Sequence, residues 1–166
     1  MLIRQFLSFL ALPFTAAVVV PWWMTRSANV RLAAPADAVG AGIGIAGVGF
    51  AIAGLTLFGW SLYHFWTEGR GTLAPWDPPR RFVVSGPYRY VRNPMITGVT
   101  LVLVAEACLL RSQELAQWTA LFALINAAYI PLLEEPILQA RFGQPYEDYR
   151  RHVRRFVPRL IPYMPA

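Results

Sequence analysis

The chain has 166 residues, 56% of them hydrophobic and only 14% charged, with a mean hydropathy of +0.41, which excludes an ordinary soluble domain and points to a bilayer. The formal net charge is +6 and all fifteen basic residues are arginine, so a lysine-based mechanism is excluded and every cation is a forked, permanently charged guanidinium. The one cysteine, Cys108, lies in an apolar run, which excludes an intramolecular disulfide and a multi-cysteine metal site.

Crossing a hydrocarbon core of roughly 30 Å takes about 20 apolar residues as helix. Four stretches meet or approach that length, so the sequence predicts an all-α integral membrane protein with about four transmembrane helices, forming a single membrane domain over 1–166. The first runs over approximately 5–24 and contains Pro13 and Pro21, which membrane helices tolerate with a kink, while Trp22 and Trp23 suit an interfacial anchor. The second covers approximately 38–66. Within it Gly42, Gly44 and Gly47 spell G-x-G-x-x-G, but no strand precedes them, so close helix packing through small residues is expected in place of dinucleotide binding. The third, approximately 94–110, opens on Pro94, which suits a first helical residue. The fourth, approximately 115–133, follows after Arg111 to Glu114, so the two should form an antiparallel hairpin. Glu106 falls inside the third span, where Asn126 or Arg111 is its expected partner.

Counting arginines by loop gives an orientation. With the N-terminus inside, the inner side collects Arg4, five from Arg70 through Arg92 and six from Arg141 through Arg159, whereas the outer side keeps Arg26, Arg31 and Arg111. That bias predicts an inner or plasma membrane protein with both termini cytoplasmic. The segments 67–93 and 134–166 would then build a cytoplasmic cap. In the first of these, prolines and aromatic residues from Pro75 to Tyr90 favour a compact loop over disorder.

After the fourth span the sequence reads Pro131-Leu-Leu-Glu-Glu-Pro136. Two carboxylates at a membrane boundary are costly unless paired or hydrogen-bonded. Adjacent helical positions point about 100° apart, so Glu134 and Glu135 suit two parts of an extended ligand better than one small ion. Pro136 should bend or restart the helix. Beyond Gly143, Tyr146, Tyr149, Val153 and Phe156 recur at helical spacing among arginines, predicting a C-terminal amphipathic helix from Tyr146 to about Phe156 that lies on an anionic leaflet or closes a pocket. His64, near the cytoplasmic end of the second span, and Tyr146 and Tyr149 are the candidates for the substrate side.

Two blocks carry a family resemblance. Ser85-Gly-Pro-Tyr-Arg-Tyr-Val-Arg-Asn-Pro-Met-Ile-Thr-Gly98, then a helical hairpin, then Glu134-Glu-Pro-Ile through Phe156-Val-Pro158 resembles the isoprenylcysteine carboxyl methyltransferase and phospholipid methyltransferase superfamily. The resemblance covers roughly the C-terminal half. It implies S-adenosylmethionine as cofactor, with Tyr90, Arg92, Asn93, Pro94 and Gly98 lining its pocket and Glu134 and Glu135 holding its polar ends. It also implies Arg92, Asn93 and Glu135 as the catalytic set, with no metal. The carboxyl methyltransferases typically carry Arg-His-Pro where this chain has Arg92-Asn93-Pro94, and the phospholipid methyltransferases carry Asn-Pro, so the acceptor stays open among a prenyl-type thiol or carboxylate, a phospholipid amine and a small thiol.

Methyl transfer from a sulfonium is an in-line displacement that needs chiefly positioning. The cofactor's ammonium and ribose hydroxyls suit carboxylates, and its carboxylate suits arginine. Expected partners are membrane lipids and a hydrophobic acceptor, with no nucleic acid. Two rival readings remain: an NADPH-dependent membrane reductase resembling the steroid 5α-reductase type, and a non-catalytic protein whose arginines bind anionic lipid.

Overall fold

The computed structural model describes residues 10–27, 37–69 and 82–164. All regular structure among them is helical. A wide-turned segment, Leu10–Val19, leads into α1, Val20–Ser27. In the i→i−5 register of that segment the natural partner of the Ala16 carbonyl is residue 21, a proline with no N–H. Trp118 supplies the missing donor, its indole nitrogen lying 3.0 Å from Ala16 O, so the kink is closed by a neighbouring helix. The expected span 5–24 thus extends to Ser27, and its first residues lie outside the described ones.

Helix α2, Ala38–His64, continues through one wide turn, Phe65–Gly69. Asp37 caps it by accepting from Gly40 N at 2.7 Å. Its buried positions are Gly40, Gly47, Gly54 and Ser61, a stripe of small residues every seven positions, the spacing at which a helix keeps one seam against a partner. The partner is α3, Pro94–Leu110. A Cβ at Gly54 would lie 2.7 Å from Gly98 O, and one at Gly98 would lie 2.9 Å from Gly54 O, so backbone meets backbone there. Gly42 and Gly44 have open space around them. Of the G-x-G-x-x-G residues, only Gly47 therefore packs a helix, against Leu109 and Cys108.

Arg111 ends α3 in the left-handed conformation, φ 47°. Ser112 caps α4, Gln113–Tyr129, by accepting from Leu115 N at 3.2 Å. The hairpin turn is thus tighter than Arg111–Glu114. The helix runs on through a wide turn, Ile130–Glu134, into α5, Glu135–Phe142. Pro131 and Pro136 bracket that turn, and Pro136 sits in the first turn of α5, as the restart of the helix there requires. From Gln113, the length of about 20 residues that a helix needs to cross a hydrocarbon core is reached just before Glu134.

Two helical runs, Ala38–Gly69 and Gln113–Phe142, are long and apolar enough to cross a membrane, while α3 is a shorter apolar helix. Only 11% of the apolar window of each long run is buried. Ile45, Ile52, Leu55 and Leu124 are each more than 60% exposed, a surface suited to lipid and not to water.

The final helix, α6, spans Gln144–His152. Val153 then turns extended (φ −110°, ψ 129°), so the helix stops short of Phe156. Its apolar face does not rest on lipid: Tyr146, Tyr149 and Val153 are each at most 3% exposed and pack against Phe82, Val84, Leu138, Phe142 and Tyr163. Of the two expectations for this helix, resting on a leaflet or closing a pocket, its packing speaks against the first, because residues of both cap segments cover its apolar face. The helix instead seals the cap. Glu106 also departs from expectation, since Asn126 donates to Phe122 O and the Arg111 guanidinium lies over Gly40; one Glu106 oxygen is buried without a hydrogen bond.

Candidate cofactor site

The two sequence blocks meet at the end of the bundle where α3 begins and α4 ends. Gly86, at φ +51°, opens a short 3-10 turn, Gly86–Arg89, and a Cβ there would strike the His64 ring. The segment that begins at this turn brings Arg92 onto Glu135 and Tyr88 within reach of the Glu134 charge. Glu135 is 4% exposed and bound from two sides: Arg92 Nη1 donates to its Oε1 at 2.7 Å, Arg155 Nε to the same oxygen at 2.7 Å and Arg155 Nη2 to Oε2 at 3.1 Å. A buried carboxylate between two guanidiniums is satisfied only by such forked geometry. The hydrogen bond from Arg155 to Glu135 raises the guanidinium's pKa further, so both partners stay charged.

Asn93 holds the segment that carries Arg155. Its backbone N and its Nδ2 both donate to Arg155 O, each at 3.1 Å. Arg92 N donates to Arg154 O at 2.8 Å. Pro94 is fully buried as the first residue of α3, and Thr97 Oγ1 donates to Phe156 O at 3.2 Å. Arg155 was not among the residues singled out from sequence. The signal was the closing Phe156-Val-Pro158 of the second block, which fixes the segment just after it.

Glu134 behaves differently. It is only partly buried, and the hydrogen bonds of Arg92 and Arg155 go to Glu135 and not to it. Arg92 Nε and the Tyr88 hydroxyl are buried without hydrogen-bond partners, and Tyr88 lies within reach of the Glu134 charge. Burial first, then Tyr149 and Glu134, push the Tyr88 phenol well above its ordinary pKa, so Tyr88 is a neutral donor. Free buried groups of this kind call for an explanation. A ligand with an ammonium or hydroxyls for Glu134 and an acceptor for Arg92 Nε would satisfy them. The donor set thus fits the polar ends of S-adenosylmethionine.

The remaining candidates are dispersed. Gly98 occupies the α2–α3 seam. Tyr90 packs its ring 6.4 Å from Trp60. His64 Nδ1 lies 2.8 Å from Glu68 Oε1 and 3.0 Å from Ser85 Oγ, at the end of α2 above the arginine cluster. Tyr149 is in the aromatic core, its hydroxyl donating to Tyr88 O at 2.6 Å. Tyr146 shares that core, close enough to Glu135 and Arg92 for their charges to act on its phenol. Burial pushes the Tyr146 phenol up to about 12.

A stretch of 77 residues, 45% of this chain and 27% of the relative, is 41% identical to methanethiol S-methyltransferase 2 of Bradyrhizobium diazoefficiens. The match therefore spans about a quarter of that relative's length. No solved structure matches. The sequence model of the phospholipid methyltransferase family matches residues 40–145, which takes in the glycine seam, the arginine-rich turn and both glutamates, and the chain belongs to that family.

Proposed function

We propose that this chain transfers the methyl group of S-adenosylmethionine to a hydrophobic, membrane-partitioning acceptor, a small thiol being the first to test. The observation that carries the reading is the division between the two glutamates. Glu135 is clamped by Arg92 and Arg155 and holds the site's frame, whereas those guanidinium hydrogen bonds pass Glu134 by, and Arg92 Nε and the Tyr88 hydroxyl are buried without partners. When bound, the cofactor supplies an electrophilic methyl on a sulfonium. The protein's part is to orient it: Glu134 takes the ammonium or ribose hydroxyls, Arg92 and Tyr88 complete its polar contacts, and the bundle end excludes water from the reacting centre.

Four spans with both termini and the site on the cytoplasmic side accord with the arginine distribution, twelve on the inner segments against three on the outer. The acceptor would enter from lipid past Trp60 and Tyr90, near His64. The name of the 77-residue match supports a thiol, and Asn93-Pro94 keeps a phospholipid amine as the second candidate.

The test is stabilisation by ligand. Detergent-purified protein should melt higher with S-adenosylhomocysteine and not with NADPH, and should label a small thiol from methyl-labelled S-adenosylmethionine. Stabilisation by NADPH alone would sink the proposal.

A further inference from the structure

After α6 the chain continues as an irregular strap, Val153–Met164, beyond the stretch matched to the family. Backbone hydrogen bonds lace it to the first block: Arg92 N and Asn93 N donate to Arg154 O and Arg155 O, while Arg159 N donates to Tyr90 O at 2.9 Å and Tyr163 N to Arg89 O at 2.8 Å. Arg89 Nε returns to Tyr163 O at 2.8 Å. The contact of Phe156 O with Thr97, in the first turn of α3, fixes where the strap crosses: at the start of an apolar helix packed against the membrane-length α2.

Its inner side is occupied by Val153 and Tyr163 in the cap core. Its outer side is bare and apolar. Val157 is 60% exposed, Leu160 98%, Ile161 71% and Met164 70%. Arg154 among them is exposed and Arg159 half-buried. Over 144–164 the sequence holds five arginines and His152 against two acids, Glu147 and Asp148; Arg155 is taken up by Glu135 and Arg151 by Glu147, which leaves Arg154 and Arg159 without a carboxylate partner among the described residues. Large apolar side chains flanked by arginine at a membrane edge match an anionic leaflet in both chemistries, apolar burial and headgroup charge.

We propose that Val157, Leu160 and Ile161 dip into the leaflet facing the cap, that Arg154 and Arg159 take its anionic headgroups, and that this insertion holds Arg155 on Glu135. The strap is then a lipid-dependent clamp, because the segment that reads the membrane also carries one of the two guanidiniums fixing the site. The inference stands on the strap's geometry and does not require the methyl-donor assignment.

The experiment places an environment-sensitive fluorophore at Leu160→Cys in a Cys108→Ala background, with Arg151→Cys on the exposed side of α6 as control, in nanodiscs of phosphatidylcholine with or without phosphatidylglycerol. The label at 160 should shift to the blue, more so with phosphatidylglycerol, and be quenched by lipids spin-labelled near the headgroup, while the label at 151 stays aqueous. A label at 160 as aqueous as that at 151 overturns insertion. Amide exchange of the full chain then reads the clamp: phosphatidylglycerol should slow exchange at Arg92, Asn93, Arg159 and Tyr163 several-fold. The Leu160→Asp/Ile161→Asp variant, altered only at exposed positions, should lose that protection. Protection that persists in the variant, or that inorganic phosphate reproduces in detergent, overturns a lipid-held clamp.

Discussion

The two neighbouring glutamates sit in different surroundings. Glu135 is 4% exposed and shared by two guanidiniums, so Glu135→Gln strands both cations at a buried site. Removing one partner of such a cluster costs about 3 kcal/mol, the figure being lowered in practice by the partial exposure of Arg155. The expected result is a clear fall in melting temperature in detergent, and a variant as stable as the parent would show that the clamp carries no stability. The tyrosines of the cap set an alkaline limit. In the unfolded chain the Tyr146 phenol titrates near 10.0, and in the fold burial holds it up to about 12. Its contribution is whole below the unfolded value and is lost as pH rises from there through the folded one, because the unfolded chain sheds its proton first. The cap should therefore weaken above pH 10, with phenolate absorbance appearing at the opening of the fold, and Tyr146→Phe should move that onset upward.

At the level of elements, the seam between α2 and α3 separates what could be read from the chain from what could not. Hydropathy and the positions of Pro94, Pro136 and Gly143 give the helices and their breaks, because burial and the missing proline N–H act locally. Which glycines pack is not local. Gly42 and Gly44 belong to a motif, yet Gly40, Gly47 and Gly54 face the partner, and only the heptad spacing with Ser61 tells them apart. Substitution checks this directly: Gly54→Ala and Gly98→Ala each place a methyl within 3 Å of backbone and should lower the melting temperature, whereas Gly42→Ala and Gly44→Ala should leave it unchanged. The end of α6 was misread for a related reason. Its amphipathic pattern is real, but a pattern cannot say whether lipid or protein covers the apolar side, and Phe82 and Phe142 cover it here.

Across the whole molecule, the site exists because a bundle, a turn and a strap converge. The hairpin of α3 and α4 returns Glu134 to the level of Pro94, the 3-10 turn delivers Tyr88 and Arg92, and the strap delivers Arg155. Arg92, Asn93, Pro94 and the glutamates were legible as a group from the two blocks, whereas Arg155 and Tyr88 emerged only when the chain was folded. Asn93 binds the strap through Arg155 O, and the carboxylate proposed to meet the ligand is Glu134. The most direct measurement is titration of S-adenosylhomocysteine by calorimetry into detergent-purified parent and Glu134→Gln protein. The account predicts binding by the parent and a loss of at least tenfold in the variant, on the order of the 1.4 kcal/mol that a charge-assisted contact supplies, with an unchanged melting temperature in the absence of ligand. Equal affinity in the two proteins, or none in the parent, would contradict it.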